Sequence, residues 1–462
     1  MVVWHRARYV VTPAGVVEGA CVGVADGRIV AVGPAGAGEI VDHGEAALAP
    51  GLVNAHSHAF QRAIRGRTEH LAAGREADDF WSWRVAMYRA ANALSPDEVE
   101  AVSAMAFLEM ALAGITTVGE FHYLHHGSDG TPYGDPNELA HRVIRAARRV
   151  GIRVVLLRVA YERAGFGKAA DPMQRRFIDR DAETVLSRVD ALAKAWRDDS
   201  GVRVGIAPHS VRAVSRAWLD VIAAERGARA VHVHACEQRA ELAACAAEHG
   251  MGPVALLAEV GLLDERVTLV HGTHIDEMAL ALIEERRPWV CACPLTEANL
   301  GDGMLPGVAL LERGARVCLG TDGQSRIDPW AEVSRVEEML RLSGERRNVL
   351  ARFAPAVGGR RETWRVVWPM AAEHGAGSLG VDGGRLAAGA VADFAVLDLA
   401  DPALAGASAG SLMADLALGM SPRAVRAVYV GGEAVVSEGR HRAHGAIVEG
   451  FRRVMGRLDA LA

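Results

Sequence analysis

Lysine is nearly absent from this chain of 462 residues. Among its 51 lysines and arginines only Lys168 and Lys194 are lysines, so arginine carries almost all of the positive charge. The formal net charge is −6, and no block of like charges stands out. This balance argues against nucleic acid or an anionic membrane as a partner. We therefore expect a small-molecule ligand, no nucleic acid and no membrane.

Long apolar runs and an export signal are also lacking. No stretch approaches the roughly 20 apolar residues that span a bilayer. The first residues, M-V-V-W-H-R-A-R-Y, contain no apolar segment followed by a cleavage site. Cysteine is scarce, with six residues, and the C-x-C of Cys291 and Cys293 is too close for zinc-ribbon spacing. These features predict a cytoplasmic protein whose cysteines are small buried hydrophobes.

Hydrophobic residues are abundant, and the two ends of the chain are rich in strand patterns. Half of the residues are hydrophobic and 23% are charged, which predicts a sizeable buried core. Alternating runs flank Asp26-Gly27 within residues 22–33, a pattern typical of a hairpin, and a second such pair lies at 428–436. A further strand is predicted at 391–398. Neither end is long enough for a full domain.

We therefore predict that the two ends form one unit. Residues 1–48 and 376–440 should pair into a small β-sandwich domain, and residues 441–462 should form a closing amphipathic helix. The length of the chain leaves room for one large barrel between them.

The middle of the chain, residues 49–375, alternates between strands and helices. Helical periodicity marks segments such as 97–113, 137–149, 180–196 and 274–286. Eight apolar, β-branched runs separate such segments, and a parallel sheet buried on both faces requires strands of this kind. The eight runs are 48–55, 114–121, 152–160, 202–208, 230–235, 267–272, 289–294 and 316–321. The predicted fold class is α/β, with a (β/α)8 TIM barrel as the catalytic domain.

Polar side chains recur where these strands end, which is where a barrel of this type carries its reactive groups. They are His56, His58, Glu120, His122, Tyr123, His209, His232, His234, Glu237, His271, His274 and Asp322. His56 and His58 are separated by one residue, so strand alternation places both imidazoles on one side of the chain. His232 and His234 share this relation, but alternation does not decide whether both bind.

This pattern predicts a metal site. His56, His58 and His234 offer nitrogen ligands and Asp322 offers oxygen, a set that suits catalytic zinc or iron. A bound ion lowers the pKa of water towards neutrality. Asp322 is placed to accept the proton of that water, and His271 is placed to orient the water or to share the proton. Glu237 is placed to protonate a leaving nitrogen.

We favour one divalent ion, zinc by preference. A two-metal site needs a bridging carboxylate or a modified lysine at a strand end. Lys168 lies in a glycine-rich loop and Lys194 in a predicted helix, so Glu120 is the only rival bridge.

Several motifs resemble the amidohydrolase superfamily, and its deaminase branch in particular. They are P-G-L-V-N-A-H-S-H at 50–58, H-A-C-E at 234–237, H-G-T-H at 271–274, G-T-D at 320–322 and G-R-L-A-A-G-A-V-A-D-F-A-V-L-D at 384–398. The resemblance covers almost the whole chain. It implies a β-sandwich built from both chain ends and a single divalent metal.

Within that branch, five segments are most similar to the formimidoylglutamate deiminases. These are residues 56–66, 80–84, 119–126, 207–212 and 294–303. The resemblance implies hydrolysis of N-formimino-L-glutamate to N-formyl-L-glutamate and ammonia, a step of L-histidine degradation, by an enzyme that is often a homodimer. Its substrate-contacting positions fall on Gln61, Arg84, Tyr123, His209 and Arg212, and its catalytic positions fall on Glu237, His271 and Asp322.

The chemistry agrees with this resemblance, because guanidinium groups bind carboxylates in bidentate fashion and this substrate has two carboxylates. One departure concerns Gly323 and Gln324, where many relatives have Ser next to the Asp. A second is Cys236, which has no evident catalytic part. Two alternatives stay open: a deaminase acting on a nucleobase or aminated ring, and a barrel without catalysis that serves as a scaffold.

Overall fold

A computed structural model describes residues 1–71, 73–74 and 76–460. The chain begins with short strands, and the bounds of the first seven are β1 (Val3–Arg6), β2 (Tyr9–Thr12), β3 (Gly15–Glu18), β4 (Cys21–Ala25), β5 (Arg28–Gly33), β6 (Glu39–Asp42) and β7 (Ala46–Pro50). The predicted hairpin at Asp26-Gly27 is confirmed. It joins β4 to β5, and both turn residues have positive φ, as a tight hairpin turn requires.

Eight parallel strands in the described part of the chain form the barrel. They are β8 (Leu52–Ser57), β9 (Ile115–His122), β10 (Arg153–Ala160), β11 (Val202–Pro208), β12 (Val231–Ala235), β13 (Val267–His271), β14 (Trp289–Ala292) and β15 (Arg316–Leu319). They are hydrogen-bonded in chain order. Their side chains are almost all buried, as expected of a sheet covered on both faces.

The barrel closes between its first and last strands at the predicted metal ligands. The backbone N–H of Asp322 donates to the carbonyl of His56, and the N–H of His58 donates to the carbonyl of Asp322, each at 3.0 Å. Ser57 and Asp322 form the corresponding parallel bridge. The hydrogen bonds that close the barrel therefore also fix the backbone of three of the four proposed ligands.

The apolar run 48–55 was predicted as one strand, and this prediction is wrong. The run is divided at Gly51 between β7 of the sandwich and β8 of the barrel. The N–H of Gly51 donates to the Asp393 carbonyl at 3.0 Å, whereas the next N–H, of Leu52, donates to Gly114 in the barrel at 3.0 Å. Both halves are fully buried, so hydrophobicity alone does not mark the change of sheet.

The last strands are β16 (Phe394–Asp398), β17 (Val425–Val430), β18 (Glu433–Ser437) and β19 (Arg440–His441). They join β7, β2 and β3 in a seven-stranded sheet, in which β16 pairs with β7. The other sheet of the sandwich has four described strands, β5, β4, β1 and β6. Apolar residues from both chain ends, among them Val22, Leu48 and Phe394, share one core. The predicted fold class is thus confirmed, whereas the exact domain boundaries stay a prediction.

The helices surround the barrel. Their bounds are α1 (Phe80–Ala93), α2 (Pro96–Leu112), α3 (Glu138–Val150), α4 (Ala182–Ala195), α5 (Arg216–Glu225), α6 (Arg239–His249), α7 (Pro253–Glu259), α8 (Glu277–Arg286), α9 (Pro294–Leu300), α10 (Gly307–Glu312), α11 (Pro329–Gly344), α12 (Trp364–Ala371), α13 (Glu373–Ser378), α14 (Leu412–Leu418) and α15 (His444–Asp459). Short 3-10 helices lie at Ala59–Ile64, Pro172–Phe177, Leu350–Phe353 and Pro422–Ala424.

Local signals explain where several of these helices begin. Ser95 and Glu98 form a capping box at the start of α2, with Pro96 in its first turn. The last helix, α15, buries an apolar stripe and packs against α2. Residues 461 and 462 of the predicted C-terminal helix lie outside the described residues. The described helices include none with the length and apolarity that a membrane crossing requires.

Candidate active site

Four side chains converge at the carboxyl end of the barrel: His56, His58, His234 and Asp322. Nε2 of His56 lies 3.2 Å from Nε2 of His58 and 3.2 Å from Nε2 of His234. Oδ1 of Asp322 lies 3.4 Å from Nε2 of His56 and 3.2 Å from Nε2 of His58. All four residues are buried. The arrangement brings together the ligand set predicted from the sequence.

The hydrogen bonds of the outer ring nitrogens show that this cluster fits a cation. Nδ1 of His58 donates to the Phe121 carbonyl at 2.9 Å, and Nδ1 of His234 donates to the His209 carbonyl at 2.9 Å. In a neutral imidazole, the other nitrogen then carries a lone pair. Two lone pairs and a carboxylate oxygen therefore face the same buried point, and the single proton of His56 cannot satisfy them all. A metal ion satisfies them together.

His271, at the end of β13, faces this cluster from the side. Its Nε2 lies 3.7 Å from Oε1 of Glu237 and 3.8 Å from Oδ2 of Asp322. Burial lowers the pKa of His271, but the carboxylates of Glu237, Glu297 and Asp322 outweigh burial and raise it to about 10. Burial raises the pKa of Glu237 above its ordinary value. The three predicted proton-transfer groups are thus neighbours.

Two of these residues have left-handed backbone conformations. The φ angle is 73° at His271 and 41° at Asp322, although both have a Cβ atom that disfavours this region. Such strain concentrates at functional sites, where the surrounding structure holds it in place. It turns both side chains out of the strand direction and into the mouth of the barrel.

One small cavity adjoins the cluster and brings the predicted substrate-contacting residues together. Its walls include Gln61, Arg84, Tyr123, His209 and Arg212, together with every proposed ligand and catalytic residue except His56. Nε2 of Gln61 donates to the Tyr123 hydroxyl at 2.9 Å, which leaves the Gln61 Oε1 buried without a partner in the described structure. These five residues come from four separate chain segments, since His209 and Arg212 share one loop.

The two arginines in this wall differ in their partners. Arg84 donates through Nε to the hydroxyl of Tyr88 and through Nη2 to the hydroxyl of Tyr161, the latter at 3.0 Å. Arg212 is 5% exposed, and its Nε and Nη1 are buried without a hydrogen-bond partner among the described residues. A buried guanidinium with free donors calls for an anionic ligand, because unsatisfied charged donors are costly.

Other candidate residues at the strand ends lie outside the cluster. His232 lies deeper in the barrel, where its Nε2 is 3.3 Å from the Ser378 carbonyl. Glu120, the rival metal bridge, accepts from the Ser57 hydroxyl at 2.6 Å and from the Ala59 N–H at 2.7 Å. Burial raises the pKa of Glu120 to about 7. Both of its oxygens are therefore engaged in holding the strand that carries His56 and His58.

The side chain of Gln324, which lies in the segment that departs from many relatives, forms hydrogen bonds with residues beside the metal-binding cluster. Its Nε2 donates to the Ser57 hydroxyl at 2.9 Å and to the Asp322 carbonyl at 2.7 Å. Its Oε1 accepts from the Thr321 hydroxyl at 3.0 Å. The side chain thus ties the Asp322 backbone to β8, close to the backbone bonds that close the barrel.

Sequence reasoning missed Glu297 and the tyrosines around Arg84. Oε1 of Glu297 lies 3.4 Å from Nδ1 of His271 and accepts from the Cys293 N–H at 2.8 Å. Tyr88 and Tyr161 lie 73 residues apart in the chain and meet only in the folded protein. Glu297 falls within the segment 294–303 that carries the resemblance, so a signal was present, but nothing in that segment indicated contact with His271.

Comparisons with known proteins identify the family of this chain. The family model of the amidohydrolase family matches residues 47–435. The chain belongs to the amidohydrolase family. It is 38% identical to formimidoylglutamate deiminase of Pseudomonas aeruginosa over 437 residues, which are 94% of each chain. It is also 30% identical to 5-methylthioadenosine/S-adenosylhomocysteine deaminase of Natronomonas pharaonis, covering 89% of this chain and 86% of that one.

Solved structures give the same family. A crystal structure of an amidohydrolase from Brucella melitensis superposes with a TM-score of 0.89 and 34% identity, over 99% of this chain and 100% of that one. An adenosine deaminase from Xanthomonas campestris, with a TM-score of 0.80 and 23% identity over 99% and 98% of the two chains, shares the fold. The protein is a metal-dependent hydrolase of this family. The scaffold alternative is therefore set aside.

Proposed function

We propose that this protein hydrolyses N-formimino-L-glutamate to N-formyl-L-glutamate and ammonia. One observation carries the proposal: Arg84 and Arg212 line the same cavity as the metal-binding cluster. A linear substrate with a reactive C–N group and two carboxylates matches that combination. The similarity to formimidoylglutamate deiminase over 94% of the chain supports it.

The buried guanidinium of Arg212 supports a carboxylate ligand in particular. Its Nε and Nη1 are both without a partner, and each can donate a charge-assisted hydrogen bond to a carboxylate oxygen. The Arg84 guanidinium is already oriented by two tyrosine hydroxyls. A preoriented group loses less side-chain entropy when it binds a ligand.

The donor set supports one divalent ion, with zinc as our choice. Three imidazole nitrogens and one carboxylate oxygen suit zinc, and Glu120, the rival bridge, is held by other donors. Bound there, such an ion lowers the pKa of water towards neutrality and so supplies a nucleophile at ordinary pH.

Side chains of the protein carry out the proton transfers and hold the substrate. Asp322 accepts the proton of the water that attacks the formimino carbon, and His271, a cation because of its raised pKa, orients that water from Nε2. Glu237 donates a proton to the nitrogen that departs as ammonia when the C–N bond breaks, and its raised pKa suits that role. Arg84 and Arg212 hold the carboxylates, while Gln61, Tyr123 and His209 contact the rest of the glutamate part.

A second candidate is deamination of an adenine-containing nucleoside. Phe80 and Trp83 line the cavity and offer aromatic faces on which a base could stack. The similarity to 5-methylthioadenosine/S-adenosylhomocysteine deaminase also supports it. The unpartnered donors of Arg212 favour a substrate with a carboxylate over a neutral nucleoside such as 5-methylthioadenosine, which leaves them unsatisfied. The second carboxylate of the glutamate compound gives Arg84 a partner as well.

Ammonia release from the zinc-loaded protein tests the proposal. We expect turnover of N-formimino-L-glutamate and none of S-adenosylhomocysteine, 5-methylthioadenosine, guanine or cytosine. Arg212→Met should raise KM about tenfold to a hundredfold, because a charge-assisted bidentate bond is lost. Arg216→Met is the matched control, since Arg216 pairs with Glu259 on the surface at 2.7 Å. Deamination of a nucleoside without turnover of the formimino compound contradicts the proposal.

We also propose that the reaction belongs to L-histidine degradation. The enzyme is then a cytoplasmic homodimer without nucleic-acid or membrane partners. Sedimentation of the purified protein tests the dimer directly, because a monomer has half the expected mass.

A further inference from the structure

A second, larger cavity lies outside the first. Its volume is about 440 Å³, whereas the cavity beside the metal-binding cluster measures about 40 Å³. Arg84, Tyr88 and Arg212 line both, so these side chains form the partition between them. The inner space is the smaller of the two and lies on the side of the metal-binding cluster, whereas the outer cavity lies on the other side of the partition.

The outer cavity carries an excess of positive charge. The basic residues in its wall are Arg84, Lys168 and Arg212, and the acidic residues are Asp171 and Glu241. The Asp171 carboxylate accepts from the Met173 N–H at 2.8 Å, and Glu241 accepts from the Glu237 N–H at 3.3 Å. Each acid thus accepts from a backbone N–H, although Oε1 of Glu241 is buried without a partner in the described structure. Of the three cations, Lys168 is the exposed one.

Lys168 is brought next to Arg212 by a tight turn. The Lys168 N–H donates to the Gly165 carbonyl at 3.0 Å, and Gly165 has no side chain to separate its neighbours. A Cβ placed on Gly165 would lie 3.9 Å from Cγ of Arg212 and 3.9 Å from Cδ of Lys168, so both side chains flank one point. Lys168 forms no ion pair with any described acidic residue. Its ammonium is therefore free to meet an anion.

We propose that the outer cavity is a carboxylate-capture site, in which Lys168 and the outer side of Arg212 bind one carboxylate of the incoming substrate before it passes the partition. The choice of a dicarboxylate as the natural ligand rests on the proposed function. Capture of a carboxylate by these two cations does not require turnover, because it depends only on charge and position.

Because the chain has only two lysines, a kinetic test can compare Lys168 with Lys194 as its single matched control. Lys168→Met removes the charge but keeps the length, Lys168→Arg keeps the charge, and Lys194→Met removes an equal charge from the outer surface of α4. We expect Lys168→Met to lower kcat/KM for N-formimino-L-glutamate about twofold to fivefold, with kcat unchanged. The other two variants should match the wild type. The difference should vanish at about 1 M salt, where charges are screened.

Chemical protection provides a readout without turnover. Acetic anhydride acetylates exposed lysines, and peptide mass spectrometry follows Lys168 and Lys194 separately. Glutarate at about ten times its Kd should slow acetylation of Lys168 about tenfold by occupancy. Glutaramide, which is neutral, should not protect, and Lys194 should react at the same rate throughout.

The two readouts separate this inference from the proposed function. Protection of Lys168 by glutarate without turnover of the formimino compound supports the capture site and refutes the proposed substrate. Turnover with equal kinetics in Lys168→Met and wild type, together with no protection, overturns the capture site and leaves the proposed function standing.

Discussion

At the scale of single residues, the metal-binding cluster shows how tautomers imply an ion. His58 and His234 donate their Nδ1 protons to backbone carbonyls, so each has a lone pair on Nε2. Both Nε2 atoms lie 3.2 Å from Nε2 of His56. Without a cation these lone pairs and the Asp322 carboxylate repel one another. The site therefore destabilises the folded chain when it is empty and stabilises it when it is filled.

Zinc should consequently raise the melting temperature of protein that has been dialysed against a chelator. At free zinc one hundred times Kd, the expected stabilisation is about 2.7 kcal/mol. His234→Ala should abolish most of this gain and the bound zinc, whereas His70→Ala, which removes an exposed histidine, should not. Calorimetry and metal analysis check this. Equal zinc content in both variants would show that His234 is not a ligand.

The carboxylate of Glu297 orients the ring of His271. Its Oε1 is close to both Nδ1 of His271 and the N–H of Cys293, at 3.4 and 2.8 Å. It thus holds the ring of His271 so that Nε2 points between Glu237 and Asp322. A positioning role of this kind should change the rate of proton transfer but not substrate affinity.

We expect Glu297→Gln to lower kcat about tenfold to a hundredfold with KM and zinc content unchanged. The amide keeps an acceptor oxygen but loses the charge, and Glu297→Ala, which loses both, should be slower still. Asn299→Ala, on the outer side of α9, is the control, since the exposed Asn299 amide donates to Oε1 of Glu69 at 3.0 Å. A rise in KM with unchanged kcat in Glu297→Gln contradicts the positioning role.

At the scale of elements, a buried ion pair joins β10 to α4 behind the site. Arg158 in β10 contacts Asp179 with Nη1 to Oδ2 at 2.5 Å, both side chains are fully buried, and Arg188 in α4 contacts the same carboxylate. Although burial raises the pKa of Asp179, hydrogen bonding to His126 and the charge of Arg158 hold it far below its ordinary value. These contacts hold the loop that precedes α4 and that contributes Asp171, Met173 and Gln174 to the outer cavity.

Asp179→Asn should lower the free energy of unfolding by about 3–5 kcal/mol, because it leaves Arg158 buried without its counter-charge. The folded-state pKa of Asp179 lies below the unfolded value of about 4, so its contribution is present above pH 4 and is lost as the pH falls below that. Urea unfolding at pH 7 and pH 3 checks both points, and the loss on acidification should be smaller in the variant.

The exposed pair of Arg6 and Asp42, at 2.6 Å, is the control for this prediction. Asp42→Asn should change stability little, since water already solvates both groups. Equal effects of the two substitutions would contradict the importance of burial at Asp179.

At the scale of the whole molecule, one close approach of the sandwich to the barrel lies at Gly51 in the β7–β8 junction. A Cβ on Gly51 would lie 2.3 Å from Oγ1 and 2.4 Å from Cγ2 of Thr116, which belongs to the neighbouring barrel strand β9. The two sheets therefore approach closely only because this position has no side chain.

Gly51→Ala should accordingly lower the free energy of unfolding by about 1–3 kcal/mol, the usual range for overpacking. Gly344→Ala, at the end of α11 and with nothing within 4 Å of the added Cβ, should have no such cost. Thermal unfolding of both variants checks this. A Gly51→Ala protein as stable as the wild type would show that β9 moves aside freely.

The alternation of buried strands with amphipathic helices, Asp26-Gly27 and the spacing of His56 and His58 are local signals. They predict elements, a turn and a pair of ligands from neighbouring residues alone, because backbone periodicity decides which side chains share a face. The resemblance of short motifs extended this to His234, His271 and Asp322. These parts of the protein follow from the sequence.

Other features depend on partners far apart in the chain. His232 and His234 have equal strand spacing, but only His234 reaches the cluster, because the depth of each residue in the barrel depends on the register of eight strands. The contact of Glu297 with His271 and the free donors of Arg212 also arise from packing. In the run 48–55, the hydrophobic residues are suited to burial in the sandwich sheet and in the barrel sheet alike. Only the backbone hydrogen bonds of Gly51 and Leu52 decide where the sandwich strand ends and the barrel strand begins.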